Sequence, residues 1–174
     1  LRITEIMYNP VGGDAYEFIE IQNVGSATID VGNFSLSGVS YVFPPSTFLA
    51  PGQIIVLGSD ASPGSWSSRY PGVTAFGRFA GSLANGGEKI AIRDTADQTV
   101  TSVDYDDENG WPTSADGAGF SLEVIDPLGD PDDPANWRAS TALNGTPGAA
   151  SNPLAPGLVL LNEIMADNPS AVEN

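Results

Sequence analysis

The stretch NGGEKIAIRDTADQTVTSVDY, residues 85–105, has the clearest structural pattern in the chain. Ile90 and Ile92 alternate with charged or small residues, which is the period of a strand with one buried face. The run TVTSVDY (99–105) follows after the turn residues TADQ and predicts an antiparallel partner strand. This stretch therefore predicts a β-hairpin.

Runs of the same kind recur on both sides of the hairpin, separated by residues that favour turns. They are LRITEIM (1–7), YEFIEIQN (16–23), NFSLSG (33–38), YVFPP (41–45), APGQIIVLGS (50–59), GVTAFGRF (72–79) and GFSLEVID (119–126). Eight or nine strands at this spacing predict an all-β fold, an antiparallel β-sandwich. The interval 58–72 is the exception, and it is either a long loop or one short helical turn near 66–70.

The apolar positions of these strands predict the core of the sandwich. We expect buried side chains at Ile3, Ile19, Ile21, Leu36, Ile55, Leu57, Ile90, Ile92 and Leu122. From Pro127 onward the sequence predicts a loop. We expect Trp137 to fold back from that loop onto an open end of the core, because a large aromatic ring gains most when it is buried.

The composition fits one globular domain with many turns. Of 174 residues, 41% are hydrophobic, 20 are glycine and 14 are proline. No run approaches the roughly 18 apolar residues of a membrane-spanning helix, so we expect no membrane insertion. The opening residues also lack the basic and apolar regions of a signal peptide.

The charge and the missing residue types exclude several functions. The chain has 22 acidic and 6 basic residues, a formal net charge of −16, so we expect no nucleic-acid partner. Cysteine is absent, which excludes disulfides and thiol chemistry. Histidine is absent as well, which excludes Ser-His-Asp and Cys-His catalysis and the usual zinc ligands.

The sequence nearly repeats its own beginning. The opening LRITEIMYNP returns as LVLLNEIMADNP, with Glu163 in the place of Glu5, and the run before it, GTPGAASNPLAPG, has the composition of a linker. Glu163 follows Glu5 by 158 residues, and a domain-sized offset of this kind is typical of tandem modules. We therefore expect a domain over 1–150, a linker over 145–157 and the truncated start of a second repeat over 158–174.

Most of residues 1–94 resemble the lamin-tail domain family. The similar segments, in the family's order, are EFIEIQN (17–23), GNFSL (32–36), YVFPPSTFLAPGQIIVL (41–57) and SLANGGEKIAIRD (82–94). The resemblance implies an immunoglobulin-like β-sandwich. Residues 95–150 resemble the bacterial members, which occur in extracellular or cell-surface multidomain proteins, often as tandem copies or beside hydrolase domains. The coiled coil and basic segments of the nuclear members are not visible in this sequence.

Two acidic loops, DYDDENGW and DPLGDPDDPANW, offer oxygen ligands for a cation. Calcium takes about six to eight oxygens from carboxylates, amides and carbonyls in a bent loop. Neither loop has the EF-hand spacing, and the alternative is that Asp and Asn serve as turn and cap residues. The candidate calcium ligands are Asp104, Asp106, Asp107, Glu108, Asp126, Asp130, Asp132 and Asp133.

Glu5 alternates with Ile3 and Met7, so it is predicted to point to the same side of its strand as these apolar side chains. Glu17 alternates with Ile19 on the next strand and is a candidate for the same face. Two such carboxylates could form an acid/base pair of the glycosidase kind. The alternative, which we favour, is a structural carboxylate held by backbone N–H groups or a bound ion.

Two further features suggest binding or cross-linking. The rings of Trp66, Tyr70 and Trp111 could stack on sugars, although packing in the core or its rim is the more common role of such residues. Lys89 could form an isopeptide bond with an asparagine, but its position in the strand alternates outward from Ile90.

The sequence therefore favours a non-catalytic interaction or spacer module of a secreted or cell-surface multidomain bacterial protein, with calcium as a possible stabilising ion. We expect a monomeric module whose partners are other domains of the same chain, surface proteins or glycans. Avidity between copies would then contribute to binding. The alternative is a carbohydrate-binding or hydrolytic domain that uses the aromatic residues together with Glu5 and Glu17.

Overall fold

A computed structural model describes residues 1–150 as two β-sheets, a two-stranded ribbon and one short helix. The helix, α1, is Pro63–Arg69. The strands are β1 (Arg2–Met7), β2 (Phe18–Gln22), β3 (Ile29–Asp30), β4 (Ser35–Ser37), β5 (Tyr41–Val42), β6 (Phe48–Leu49), β7 (Ile54–Ser59), β8 (Gly77–Phe79), β9 (Glu88–Arg93), β10 (Thr99–Tyr105), β11 (Leu122–Val124) and β12 (Trp137–Ala139).

The larger sheet has the strand order β12-β11-β1-β2-β7-β8, and the smaller has the order β10-β9-β4-β5. β3 and β6 form the separate ribbon. The predicted hairpin is β9–β10, in which Val103 pairs with Ile90 and Thr101 with Ile92. The fold is therefore the all-β, immunoglobulin-like sandwich that the sequence predicts.

The core lies between the two sheets. Ile6 and Ile19 of the larger sheet and Ile90, Ile92 and Val103 of the smaller one belong to one buried cluster. All nine predicted core residues belong to it, from Ile3 to Leu122. Burial of one such side chain contributes about 1.5–3 kcal/mol, so this cluster is the main source of stability.

The opposite face of the larger sheet is covered in part by α1. Pro63 occupies the first turn, where its missing N–H costs nothing. Trp66 and Tyr70 pack edge-to-face on Phe18, with ring centroids 6.3 and 5.5 Å away. Val56 joins this second cluster, so β7 is buried on both faces, as its apolar run predicts. Of the two alternatives for residues 58–72, the short helix is the right one.

Three strands and one pairing differ from the predictions. β3, β6 and β12 are only two or three residues long, which is too short to show a period. β8 pairs with β7 in parallel, so the sandwich is not purely antiparallel. Trp137 is buried against Trp111, with ring centroids 5.8 Å apart, so its predicted burial is confirmed, although it begins a strand.

Within residues 1–150, no helix is long and apolar enough to cross a membrane. The remainder of the predicted linker, 151–157, and the predicted second repeat lie outside the described residues.

Candidate functional site

Three glutamates form a row across neighbouring strands on the α1 side of the larger sheet. Glu5 on β1 pairs with Glu123 on β11 and with Glu20 on β2. Their side chains are almost fully buried, with exposed fractions of 1%, 2% and 0%. We call these three residues the carboxylate row. Acidic side chains placed directly opposite one another repel, so the row needs specific partners.

A bulge in β1 turns Glu5 onto this face. Ile3 pairs with Ile21 and Glu5 with Glu20, so the register shifts by one residue between them. Ile3 belongs to the core, whereas Met7 lies in the cluster under α1. The prediction that Glu5 shares its face with Ile3 is therefore wrong, because a bulge breaks strict alternation. Met7, by contrast, does lie on the same face as Glu5, as predicted.

Residues 145–148, which we call the strap, lie over the carboxylate row. The N–H of Thr146 donates to Glu5 Oε1 at 2.7 Å, and the N–H of Gly148 donates to Glu20 Oε2 at 2.8 Å. The hydroxyl of Thr146 contacts Glu5 Oε2 at 3.2 Å and donates to Glu123 Oε1 at 2.7 Å. Each carboxylate of the row thus has a partner in the strap.

Gly145 is required where the strap meets the sheet. Its φ of +77° is unfavourable for residues with a side chain. A Cβ atom there would lie 2.5 Å from Glu5 Oε1 and 3.0 Å from Phe18 Cζ. The composition of residues 145–148 predicts a linker, but Gly145 serves this close approach. These residues belong to the domain rather than to a flexible connection.

Other side chains complete the row. Arg138 on β12 forms a salt bridge with Glu123 Oε2 at 3.0 Å. The hydroxyl of Thr4 donates to Glu20 Oε1 at 2.7 Å, and the hydroxyl of Ser121 donates to Glu5 Oε1. One positive charge therefore faces three acidic groups, at one end of the row.

Burial shifts the acidity of the row. The pKa of Glu5 is raised to about 8, because burial raises it most, the hydrogen bonds from Ser121 and Thr146 lower it, and the neighbouring carboxylates of Glu20 and Glu123 raise it. Burial likewise raises the pKa of Glu20 to about 7, opposed by the hydrogen bonds from Thr4 and Gly148. The row therefore holds protons near neutral pH.

Glu17 is buried as well, but it does not join the row. It lies just before β2 and alternates with Ile19, which faces the core. Its Oε2 accepts the N–H of Leu83 at 3.0 Å, and its Oε1 has no hydrogen-bond partner among residues 1–150. Burial raises the pKa of Glu17 to about 8. Glu5 and Glu17 thus serve opposite faces of the sheet, which argues against the acid/base pair and for the structural role that we favour from the sequence.

Two cavities flank the strap. One, of about 400 Å³, is lined by Val56, Val73, Phe76 and Pro147. The other, of about 320 Å³, is lined by Tyr70, Val73, Leu143 and Pro147, among others. Pro147 and Val73 line both cavities.

The acidic loops lie elsewhere, and their carboxylates cap backbone N–H groups. Asp132 Oδ1 accepts the N–H of Asp104 at 2.8 Å, which brings the two loops together. Other short contacts of this kind are made by Asp106 with Asp107 and Glu108, by Asp126 with Leu128, by Asp130 with Asp132 and by Asp133 with Ala135. Within residues 1–150 no three acidic side chains are arranged to hold a metal ion. Calcium binding stays a prediction.

Of the two alternatives for Trp66, Tyr70 and Trp111, a sugar platform or packing in the core, the structure shows packing in the core. Trp66, Tyr70 and Trp111 have exposed fractions of 3%, 4% and 6%, because the first two pack under α1 and the third packs on Trp137. Their rings are therefore not available to a ligand. Lys89 is exposed, as its strand position predicts.

Glu20, Glu123 and Thr146 are missed by reading the sequence alone. A signal exists in the runs TEI, IEI and LEV, each of which places a glutamate next to buried aliphatic residues in a strand. Reading it requires the knowledge that β11, β1 and β2 are neighbours, which the strand order alone provides.

Comparison with known proteins agrees with this architecture. A family model of the lamin tail domain matches residues 1–107. None of the curated proteins compared with the chain matches it. The matched region spans β1 to β10, including two of the three strands that bear the carboxylate row. Since this is more than half of its length, the chain belongs to the lamin tail domain family.

Proposed function

We propose that this lamin tail domain is a non-catalytic interaction and spacer module of a secreted or cell-surface multidomain protein. Lamin tail domains are immunoglobulin-like interaction domains, and this general property of the family supports the proposal. The extracellular setting is supported by the likeness of residues 95–150 to bacterial members of that kind.

The observation that most supports a non-catalytic role is that the buried carboxylates accept hydrogen bonds from the chain itself. Glu5 and Glu20 have the raised pKa values that acid/base catalysis requires. Their oxygens accept hydrogen bonds from Thr4, Thr146 and Gly148, so the strap covers them. A catalytic carboxylate must reach its substrate, and these carboxylates hold the chain together instead.

Exposed apolar side chains offer interaction surfaces. Val11 and Leu143 are exposed by 55% and 64%. Both side chains lie next to Gly119, 3.4 Å from the point that a Cβ atom on this residue would occupy. Val42 and Phe48 are exposed by 61% and 58%. We propose that neighbouring domains, surface proteins or glycans bind such patches. The net charge of −16 opposes self-association and favours a monomer.

Calcium is the ion that we propose for the acidic loops, because eight carboxylates lie in two loops that contact each other through Asp104 and Asp132. A bound cation would offset part of the repulsion between them.

The test of this proposal uses the whole chain. We expect no turnover on a panel of glycoside, ester and peptide substrates. Turnover that disappears in Glu5→Gln or Glu17→Gln while the circular dichroism spectrum is retained would show an enzyme. An antibody against the domain should label intact, unpermeabilised cells or the culture medium, and labelling confined to permeabilised cells would contradict the extracellular setting.

A further inference from the structure

The strap and the carboxylate row form one unit, in which the strap contacts all three acidic groups. We propose that the strap is a proton-linked latch: it stays closed while Glu5 or Glu20 retains a proton, and it opens when both are ionised. Opening would hydrate the row and widen the two cavities that Pro147 lines.

The geometry of the row is the first argument. Glu5 lies between Glu20 and Glu123 in directly paired positions, and all three are buried. Arg138 compensates one charge, at Glu123. A second and a third charge would lie against each other in a space from which water is excluded, and both conditions disfavour ionisation. The strap is the part of the chain that covers the row, so its departure admits water.

The strap's own hydrogen bonds oppose this opening, and they do not outweigh burial. The N–H groups of Thr146 and Gly148 favour the ionised carboxylates. Burial is nevertheless the largest influence on the pKa of both Glu5 and Glu20, and it raises that pKa. The closed strap therefore binds protons that the open strap releases, so a rise in pH favours the open form.

The groups that face the row from the surrounding elements do not reverse this balance. Tyr70 of the α1 end couples to Glu5, but burial raises its pKa, so it stays neutral over this range. Arg69 donates to Asn144 Oδ1 at 2.6 Å, next to the strap. Ser121 and Thr4 are neutral donors. Glu5 and Glu20 are thus the groups that titrate.

The strap can leave without unfolding the sheet. Ser140 N–H donates to the Ser121 carbonyl at 2.9 Å, which fixes the chain just after β12. Residues 141–150 follow that anchor and contain no strand. Local opening of such a segment costs less free energy than global unfolding, which is why it can respond on its own.

Amide hydrogen exchange of the intact chain, corrected for the intrinsic pH dependence of exchange, tests the proposal. The opening constant reported by the Thr146 and Gly148 amides should rise more than tenfold between about pH 6 and about pH 8. The amides of Ile90 and Val103 in the β9–β10 hairpin should show no such rise. Constant or increasing protection of the strap amides over this range would overturn the proposal.

Variants separate the row from other acidic groups. Glu5→Gln together with Glu20→Gln should abolish the pH dependence of strap exchange, whereas Asp60→Asn, at an exposed position, should leave it unchanged. An unaltered pH dependence in the double variant would contradict the latch. The wild-type protein supplies a further readout, carbon-13 resonances of the Glu5 and Glu20 carboxyl groups. Ordinary titration midpoints near about 4.3 for both would also overturn it.

Discussion

Glu5 and Thr146, 141 residues apart in the chain, are joined by two hydrogen bonds. Glu5 lies in the first strand, and Thr146 lies in the last turn of the described chain. The backbone N–H of Thr146 meets one carboxylate oxygen and its hydroxyl meets the other. The contact thus ties the beginning of the domain to its end across the centre of the larger sheet.

The hydroxyl of Thr146 should be worth a measurable part of the stability. Thr146→Val keeps the shape and the backbone N–H but removes the contacts to Glu5 and Glu123. We expect the free energy of unfolding to fall by about 1–3 kcal/mol, since hydrogen bonds to charged groups are stronger than neutral ones. Urea denaturation measures it. Thr146→Ser, which keeps the hydroxyl, is the control, and equal losses in both variants would contradict the assignment.

Gly145 should tolerate no side chain. In Gly145→Ala, the new Cβ would lie 2.5 Å from Glu5 Oε1 at a φ of +77°. Strain of this kind costs about 1–3 kcal/mol. Gly86→Ala is the matched control, because nothing lies within 4 Å of its Cβ position. Thermal unfolding of the two variants should differ clearly, and equal melting temperatures would refute the close approach of the strap.

Stability should fall as the pH rises. The folded-state pKa values of Glu5, Glu17 and Glu20, about 8, 8 and 7, lie above the ordinary value of 4.5. Below pH 4.5 these glutamates are protonated in both the folded and the unfolded state, so their contribution to the free energy of unfolding is fully present. It is lost progressively as the pH rises from 4.5 through the folded-state values of about 7 to 8, because over this range the unfolded chain releases protons that the folded protein still holds, at about 1.4 kcal/mol for each unit of pKa difference.

Urea denaturation between about pH 5 and about pH 9 measures this dependence. Replacement of Glu5, Glu17 and Glu20 by Gln should flatten the profile, and replacement of the exposed Glu108 should not. A stability maximum at the alkaline end of the range would contradict the prediction.

Substitutions on the two faces of the β9–β10 hairpin should differ in their effect on folding. Ile90 is fully buried and Lys89 is exposed on the same strand. Ile90→Asp should abolish folding, because an unpaired charge in the core costs far more than the burial of an aliphatic side chain gains. Lys89→Asp should fold. Circular dichroism decides, and similar behaviour of the two variants would undermine the assignment of the core.

Calcium should raise the melting temperature in a background of salt if the second acidic loop binds it. Monovalent salt at about 0.15 M already screens repulsion beyond about 8 Å. Changing Asp130, Asp132 and Asp133 together to Asn should remove the increment, while Asn retains much of their capping ability. Differential scanning calorimetry with calcium, magnesium and a chelator tests this. An equal effect of magnesium, or an unchanged increment in the triple variant, would exclude the site.

The sequence predicts the sandwich and its core because alternation is a local signal that each strand shows by itself. Ile90 and Ile92 can be placed from their own neighbours. The carboxylate row is different, since Glu5, Glu20 and Glu123 become neighbours only through the strand order and a bulge. The strap cannot be predicted from the sequence for another reason. It contains Gly145 and Gly148, and glycine is common both in linkers and in close backbone contacts.

The position of the strap has a mechanical consequence. When tension is applied to the two ends of this domain, the segment that follows Ala149 pulls on Thr146 and Gly148 before it reaches β12. The polar contacts with Glu5 and Glu20 would shear first. The freed residues 145–149, which follow the hydrogen bond of Asn144 to Gly119, would then span at most about 17 Å while the sandwich stays folded. The domain would act as an extensible element whose yield force falls with rising pH.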